Sequence, residues 1–589
     1  MWRWFWRLIW LPELIFSQTR DTTGGREYAL PPLFIEAERS LRQKRWGVDS
    51  LGWLAVGEHL SALLAQTEGV YLRDYGGQGG LKTLSVRGMG AALTAISFQG
   101  LPLRAPTLGI VNLAPFFLPG LHHVTFTPGG NLTLSPGAIG ILSLSWHPTQ
   151  HRRAFGWRTA QYGEIMGYVL HETPSSLFQL SGLSALNRYP FTVPERGWRE
   201  NADYRYLQST WAYRRGPWQV TGWGYASGQF IPPPVLVGAA GGPAEQLRQQ
   251  LLAHTLEVLV PHGSLRLQHL WELVNHTDAF QQQGKSHLHT VQLQLQQAWG
   301  DASFLAGYSL YFASDHVRSN RTALGYMPLP SLGQQEGALT AFLQWQKPST
   351  YFRAEGRLTS LTRFSLQTSF LLRTGWRAIG IEIMRGIRFP SLWERYWIGY
   401  GNPSLPPEQS HQVQAFVEKA LRRWHLYLAG FWTQTRNRIV TVPLSPVRWQ
   451  AYSLGYVESI GAEGRLEYRA SHLQTWLAGT LLSAREYSFT DGGPLPYTPP
   501  YLLSGGIMYA RKRYRLLYQT QYVSWRTSSL TLSRYTLLAP YHLHGISFAY
   551  VGKGWRVEIG AENLLQASYQ VIQGYPMPPR SFFIRWERR

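Results

Sequence analysis

The chain of 589 residues contains no cysteine. This absence excludes a disulfide framework, a cysteine nucleophile and a zinc–thiolate site, and it leaves the redox compartment open. Charged residues are also scarce, at 15%, whereas soluble proteins usually contain about a quarter. After the N-terminus no run of about twenty uninterrupted apolar residues occurs, so membrane-spanning helices are not expected.

Aromatic residues and glycine are abundant instead. The chain has 25 Trp, 32 Tyr, 25 Phe and 58 Gly. Residues 514–525 alternate as a strand does, with Tyr and Leu on one face and Arg and Gln on the other. Such strands, with aromatic girdles around a wet lumen, are typical of a transmembrane β-barrel. A soluble β-sandwich or propeller also has one wet face, but no blade-length or sandwich-like repeat supports it.

The chain is strongly basic, with a formal net charge of +22 from 56 Lys plus Arg against 34 Asp plus Glu. A charge of this size first suggests nucleic acid. The Arg residues are scattered among aromatic strands and form no dense run, so no nucleic-acid partner is expected. We expect attraction to anionic lipid head groups of a membrane, or a basic lumen for an anionic ligand.

No catalytic constellation is present, so the protein is not expected to be an enzyme or to hold a cofactor. There is no nucleophile elbow, no HExxH helix and no phosphate-binding loop that opens a helix. Gly76–Gly80 is followed by Leu81, so no Lys-Ser/Thr comes directly after the last Gly, as it would in such a loop. The neighbouring histidines His122–His123 and His287–His289 could bind a transition metal, but scattered surface histidines explain them as well, and no metal site is assigned.

Between Thr67 and Trp146, glycine-rich turns separate short apolar strands in a fixed order. Each turn alone is common, but their order and spacing resemble the plug domain of TonB-dependent outer-membrane receptors. The similar positions are Gly69, Val70, Leu72, Arg73, Gly76 to Gly80, Thr83, Leu84, Val86, Arg87, Gly88, Gln99, Gly100, Leu103, Gly137, Ala138, Gly140, Leu142 and Leu144.

Two later segments are similar to the barrel of the same family. The resemblance implies a transmembrane β-barrel of 22 antiparallel strands with an N-terminal α+β plug domain in the lumen, in the outer membrane of a Gram-negative bacterium. It implies transport without chemistry on the ligand. The first segment carries Gly386, Arg388, Pro390, Leu392, Glu394, Tyr396, Gly401, Asn402, Pro403, Leu405, Pro407, Glu408 and Ser410, and the second carries Asn563, Leu564, Tyr569, Gly574 to Pro576, Pro579 and Arg580.

The expected organisation has four segments. Arg3 and Arg7 precede a short apolar stretch, as in a secretory signal peptide, although an amphipathic surface helix would look similar. Within the plug a short helix is expected near Leu60–Gln66. The segments are a signal peptide at 1–17, an N-terminal extension at 18–45, the plug at 46–147 and the barrel at 148–589.

The extension contains a candidate TonB box, the segment by which such receptors pair with the periplasmic protein TonB. It is apolar and follows two prolines that hold the chain extended, which suits strand addition to a partner's sheet edge. An ordinary linker is the alternative. The resemblance implies TonB, with ExbB and ExbD, as partners of a monomeric receptor. The candidate box is Leu33, Phe34, Ile35, Glu36 and Ala37.

The family's ligand lies between the upper plug loops and the barrel. Carried onto this chain, the ligand-binding residues are Tyr75, Gln78, Arg104 and Thr107, which combine an aromatic face with sparse polar groups. We expect a scarce bulky nutrient: cobalamin first, then a ferric siderophore or haem. The alternatives are a passive porin or adhesin-like barrel without a plug and a soluble carbohydrate-active β-protein.

The chain departs from the family pattern where the plug is normally locked to the barrel. The hairpin Asp of the family is Gln99 here, and residues 124–130 lack the usual Glu and Arg. The sequence therefore predicts a lock that is weaker or built differently.

Overall fold

The computed structural model describes residues 44–47, 56, 59–104, 110–116, 123–148, 151–235, 245–277, 283–319, 332–396, 401–445, 448–487, 493–531 and 534–588. The signal peptide, the candidate TonB box, Thr107 and His122 lie outside the described residues. The chain divides into two units, residues 1–39 and 40–589, and every described residue belongs to the second.

The N-terminal elements form a small mixed domain, the plug. Its central sheet has five strands in the order β1-β6-β7-β4-β5, in which only β4 and β7 pair in parallel. Strands β2 and β3 form a separate hairpin, and the expected short helix, α1, is present. The elements are β1 (Lys44–Gly47), α1 (Leu60–Leu64), β2 (Val70–Asp74), β3 (Lys82–Val86), a 3-10 turn (Ala91–Leu93), β4 (Thr94–Phe98), β5 (Leu101–Pro102), β6 (His123–Pro128) and β7 (Gly140–Ser145).

The remaining strands close into the predicted antiparallel barrel of 22 strands, because the last strand pairs with the first. The first half comprises β8 (Arg152–Ala160), β9 (Glu164–Glu172), β10 (Ser176–Ala185), β13 (Tyr204–Arg215), β14 (Trp218–Ile231), β15 (Glu245–Val260), β16 (Gly263–Thr277), β17 (Gln283–Gly300), β18 (Phe304–Ser319), β19 (Leu332–Gln346) and β20 (Thr350–Leu361). The second half comprises β21 (Gln367–Trp376), β22 (Ile379–Arg388), β23 (Glu408–Leu421), β24 (Trp424–Ser445), β25 (Arg448–Arg469), β26 (Leu473–Tyr487), β28 (Tyr501–Arg511), β29 (Tyr514–Val523), β32 (Tyr541–Val551), β33 (Trp555–Glu562) and β34 (Ser581–Arg588).

The two ends of the barrel differ in the length of their connections. At one end, called the turn end here, every connection has two or three residues, as between β9 and β10. The long connections lie at the opposite end, called the loop end, and they include 186–203, 389–407 and 563–580. They carry the remaining short elements: β11 (Tyr189–Phe191), β12 (Gly197–Arg199), α2 (Leu392–Tyr396), β27 (Gly493–Pro494), β30 (Arg526–Thr531) and β31 (Arg534–Leu538).

The barrel strands alternate between an apolar outer face and a polar lumen. On β29, Tyr514 is 53% exposed, whereas the inward Gln519 is 6% exposed, as the sequence alternation predicted. Successive side chains of a strand point to opposite faces, so a period-two sequence pattern gives each strand an apolar outer face and a polar inner face. The inward Gln, Thr, Arg and Glu side chains are buried against the plug. Among the described residues, no helix has the length and apolar character needed to span a membrane.

Candidate functional site

The connection between β2 and β3, residues 75–81, forms the apex of the plug. Its glycines take conformations that other residues rarely adopt, with φ of 69° at Gly77 and 79° at Gly79. A Cβ at Gly79 would lie 2.0 Å from the ring of Tyr204 on the barrel wall. Side chains below the apex tie its ends together, since Asp74 pairs with Lys82 and accepts the Gly76 amide at 2.9 Å.

The apex lies at the loop end of the barrel, where Gln78 binds the wall. Its side-chain amide donates to Glu164 Oε2 at 2.8 Å, and its backbone N–H donates to Asn187 Oδ1 at 2.9 Å. Asn187 in turn donates to the Gln78 carbonyl at 2.8 Å. The polar atoms of Gln78 therefore already hold the apex in place.

Aromatic rings and guanidinium groups surround Tyr75. Its ring meets that of Tyr575 edge to face, with centroids 5.2 Å apart. Arg199 lies over the ring of Tyr575 at 5.7 Å and donates to the Tyr75 carbonyl at 3.2 Å. Arg73 lies over the ring of Tyr497 at 5.9 Å. The four connections that meet here present half-buried aromatic faces beside two cations, and we call this group the aromatic mouth.

A cavity of about 300 Å³ lies between the plug and the wall formed by β29, β32 and β33. It extends from the apex to the N-terminal part of the plug, and its lining mixes aromatic, amide and carboxyl groups. The lining includes His59, Tyr71, Gln78, Gln519, Glu562 and Tyr569. A small polar molecule or part of a larger ligand could occupy this space.

Arg104 of the plug contacts a different part of the barrel wall from the part near Tyr75 and Gln78. It donates to Glu336 Oε2 at 2.8 Å and approaches Asp315 Oδ2 at 3.1 Å. Burial is the largest single effect and opposes the charge, but Asp315, Tyr311 and Glu336 together outweigh it and raise the pKa of Arg104 well above its ordinary value. The Arg104 side chain as a whole remains 19% exposed. The structure thus shows Arg104 joined to β18 and β19, while the apex contacts β9 and the connection after β10.

The barrel wall supplies the charges that the plug lacks. Arg373 donates to Glu382 at 2.6 Å and to the Gly130 carbonyl at 3.1 Å, and the Gly130 N–H donates to Glu382 at 3.2 Å. Arg357 donates to the Leu132 carbonyl at 2.7 Å. Gln99, in place of the family Asp, donates to Thr221 on the wall at 2.9 Å. The lock is therefore built differently, through wall side chains that bind plug backbone.

The barrel motif residues hold the 389–407 connection against the wall. Arg388 donates to Glu408 at 2.6 Å and to Glu394 at 3.0 Å. Glu408 is fully buried and also accepts from Arg438 at 3.1 Å. The Asn402 N–H donates to the Glu394 carbonyl at 2.9 Å. Pro390 is buried and Pro403 is exposed in the turn after Asn402, so the described contacts of this motif organise a connection.

Sequence reasoning missed most partners in these clusters. Tyr575 lies in the Gly574–Pro576 motif at the C-terminal end of the chain, so its position carried a signal. Arg199, Tyr497 and Glu336 belong to no motif, and only barrel closure brings them to the plug. Among the residues that the structure describes, no group of three or more His, Asp or Glu is arranged to hold a metal ion.

Comparison with known families gives a match over most of the chain. The model described as TonB dependent receptor-like, beta-barrel, matches residues 125–564. The match includes part of the plug and nearly all barrel strands. It contradicts the soluble alternative, and the folded plug contradicts the alternative of a barrel without one.

Solved structures share the fold at low sequence identity. The copper transporter OprC is 13% identical with a TM-score of 0.73, and the match covers 93% of this chain and 99% of that one. The siderophore receptor PirA from Acinetobacter baumannii is 12% identical with a TM-score of 0.76, covering 94% and 99%. The FrpB iron transporter from Neisseria meningitidis is 10% identical with a TM-score of 0.76, covering 92% and 99%. Because the family model matches more than half of the chain, the chain belongs to the TonB-dependent receptors, which are transporters and not enzymes.

Proposed function

We propose that the protein imports a scarce, bulky nutrient across the outer membrane of a Gram-negative bacterium as a monomeric receptor. The observation that carries the proposal is the aromatic mouth, in which Tyr75 on the plug meets Tyr575 at the loop end. Asp74 and Gly77, on either side of Tyr75 in the chain, line the cavity between the plug and the wall. A ligand bound there would touch plug and barrel together. A pull on the plug could then release it inward.

The aromatic mouth favours an anionic metal chelate as the ligand. Arg73 and Arg199 stand beside tyrosine rings, and this combination binds flat aromatic groups and carboxylates or phenolates. Three solved structures of the same fold are named as a copper transporter, a siderophore receptor and an iron transporter. We therefore place a ferric siderophore or haem before cobalamin.

Among the expected ligand residues, Tyr75 and Gln78 are proposed as the main plug contacts. Arg104 remains a proposed contact because its side chain is partly exposed, although two carboxylates already compensate its charge. Thr107, three residues after Arg104 in the chain, also remains a proposed ligand contact.

The proposed energy source is the proton gradient of the inner membrane, delivered by TonB with ExbB and ExbD. The box at Leu33 to Ala37 would pair with TonB, downstream of a cleaved signal peptide at 1–17. The box lies within the extension at 18–45, which would lead into a plug at 46–147. The barrel would occupy 148–589.

The test combines a growth screen with one substitution. A deletion strain is grown on limiting haem, ferric siderophore or cobalamin, and the ligand whose use depends on the protein is labelled. Ile35→Pro removes a backbone donor needed for strand pairing, with Ile35→Val as the matched control. We expect Ile35→Pro cells to bind the ligand normally and to lose uptake. Unchanged uptake in Ile35→Pro would contradict the proposed box, and uptake that survives collapse of the proton gradient would indicate a passive barrel.

A further inference from the structure

The outer wall of the barrel carries a row of basic side chains near the loop end. In the register of neighbouring strands, Arg205 lies opposite Gly228, which lies opposite Arg248. Arg248 lies opposite Asn275, which lies opposite Lys285. Three positive charges therefore share one row across β13 to β17, and Arg205, Arg248 and Lys285 are all exposed.

The next outward row lies two residues nearer the turn end, and it adds a basic residue on β18. His287 lies opposite Arg318, and Arg318 is exposed on the same outer face. We call Arg205, Arg248, Lys285 and Arg318 the basic rim. The described outward positions of these rows carry no carboxylate. Glu272 and Asp315 of the same strands point into the lumen and are buried.

An apolar belt lies beneath the basic rim. Further toward the turn end, Leu256 lies opposite Leu267, Leu267 opposite Leu293, and Leu293 opposite Phe312. Leu267 and Phe312 are each 42% exposed on the outer face. Along β15, β17 and β18 these apolar residues lie six to eight residues from the basic ones, which is about 20 to 26 Å at about 3.3 Å per residue. A molecule that fits this face needs acyl chains below and negative charge above.

Two depressions make the basic rim concave. One of about 510 Å³ is lined by Arg205, Gly228, Arg248 and Asn275. The other, of about 460 Å³, is lined by Lys285, His287, His289, His316 and Arg318. Neighbouring strands are about 4.8 Å apart, so Arg205 and Lys285, four strands apart, are separated by roughly 19 Å. That span suits a head group with more than one phosphate, which Arg binds through paired hydrogen bonds.

We propose that the basic rim is a binding site for a membrane lipid whose head group carries at least two phosphates. The inference rests on the proposed outer-membrane location and names the lipid class that the barrel binds at its loop end. The acyl chains would pack on the apolar belt, and the phosphates would lie between Arg205, Arg248, Lys285 and Arg318. This site is on the outer wall and is separate from the aromatic mouth.

The test uses the full-length purified protein in detergent with a diphosphorylated disaccharide lipid, its dephosphorylated form and inorganic pyrophosphate. The rim variant is Arg205→Gln/Arg248→Gln/Arg318→Gln. The control variant, Arg215→Gln/Lys512→Gln/Lys553→Gln, removes the same charge from exposed positions at the turn end. Heat-dependent gel migration verifies that both barrels fold. Native mass spectrometry measures lipid bound per protein.

We expect the wild type and the control variant to bind the diphosphorylated lipid equally, and the rim variant to bind it about tenfold to a hundredfold more weakly. The dephosphorylated lipid should bind poorly to all three proteins. An equal loss in both variants would reveal charge attraction without a site, and displacement by pyrophosphate at equal concentration would reveal a free-phosphate site; either result overturns the proposal. Nutrient uptake is measured separately, so failure of lipid binding leaves the proposed transport function standing.

Discussion

Arg87 of the plug and Glu463 of the barrel wall form an ion pair inside the lumen, with 2.9 Å between Nη2 and Oε1 and neither side chain accessible to solvent. The Nε of Arg87 donates to the same carboxylate at 3.2 Å. The guanidinium also lies 4.5 Å from the ring centre of Phe431. The two residues are 376 positions apart in the chain, so this pair joins the plug hairpin to the closed barrel.

Glu463→Ala should destabilise the seating of the plug by about 3 to 5 kcal/mol, because it leaves a buried guanidinium without its partner. Denaturant unfolding followed by proteolysis of the plug measures the change. Glu458→Ala, on the outer face of the same strand, is the control, and loss of its hydrogen bond from Trp432 should cost about 1.5 to 3 kcal/mol. Equal effects of the two substitutions would refute a lock at Glu463.

Glu408→Ala should lower the heat resistance of the folded barrel. Glu408 is fully buried and accepts from Arg388, Arg438 and the Ile439 N–H, so its loss should cost about 3 to 5 kcal/mol. The temperature at which the barrel unfolds on gels is the measurement. Glu418→Ala is the control on the same strand, because Glu418 is partly exposed and pairs only with His425 among the ion pairs described. A Glu408→Ala barrel that unfolds at the wild-type temperature would contradict the prediction.

Arg104→Ala should weaken binding of an anionic ligand by about 1.5 to 3 kcal/mol, the range for hydrogen bonds to charged groups. Glu336→Gln should have the opposite effect and strengthen binding of the ligand. It removes a negative charge that competes with the ligand for Arg104. Affinity is measured on purified receptor at low salt, with the unfolding temperature of each variant as a check. Unchanged affinity in both variants would show that Arg104 does not bind the ligand, and it would leave Tyr75 and Gln78 as the proposed contacts.

Acidification should destabilise the plug through His59. Burial, followed by the charges of Lys82 and Arg158, lowers the pKa of His59 to about 3. In the unfolded chain a His takes up a proton below about pH 6.5. Between these values the unfolded state binds the extra proton, so the free energy of unfolding falls as the pH falls, by up to about 1.4 kcal/mol per pH unit.

The measurement is urea unfolding of the wild type and of His59→Gln between pH 7 and pH 5, followed by tryptophan fluorescence. His59→Gln should show a smaller loss on acidification, whatever its stability at pH 7. His472→Gln, at an exposed turn-end position, should behave as the wild type. Parallel pH dependence in all three proteins would show that His59 does not account for the loss.

The sequence by itself determined the fold class, because that class depends on local patterns. Period-two alternation in residues 514–525 indicated a wall with one apolar and one wet face, and β29 has those faces. The order of glycine turns indicated the plug, and α1 lies where its helix was expected. The barrel motif that contains Glu408 was visible in the sequence, and in the structure Glu408 pairs with Arg388 and Arg438.

Only the tertiary structure decided which residues meet. A shift of one residue in strand register would turn every inward side chain outward, and the register depends on closure of the whole barrel. The pairing of Arg87 with Glu463, the two carboxylates at Arg104 and the tyrosines of the aromatic mouth therefore have no local signature. Gln99 and residues 124–130 lack the locking charges that the family has there. The wall residues Arg357, Arg373 and Glu382 bind plug backbone instead, because closure places them against it.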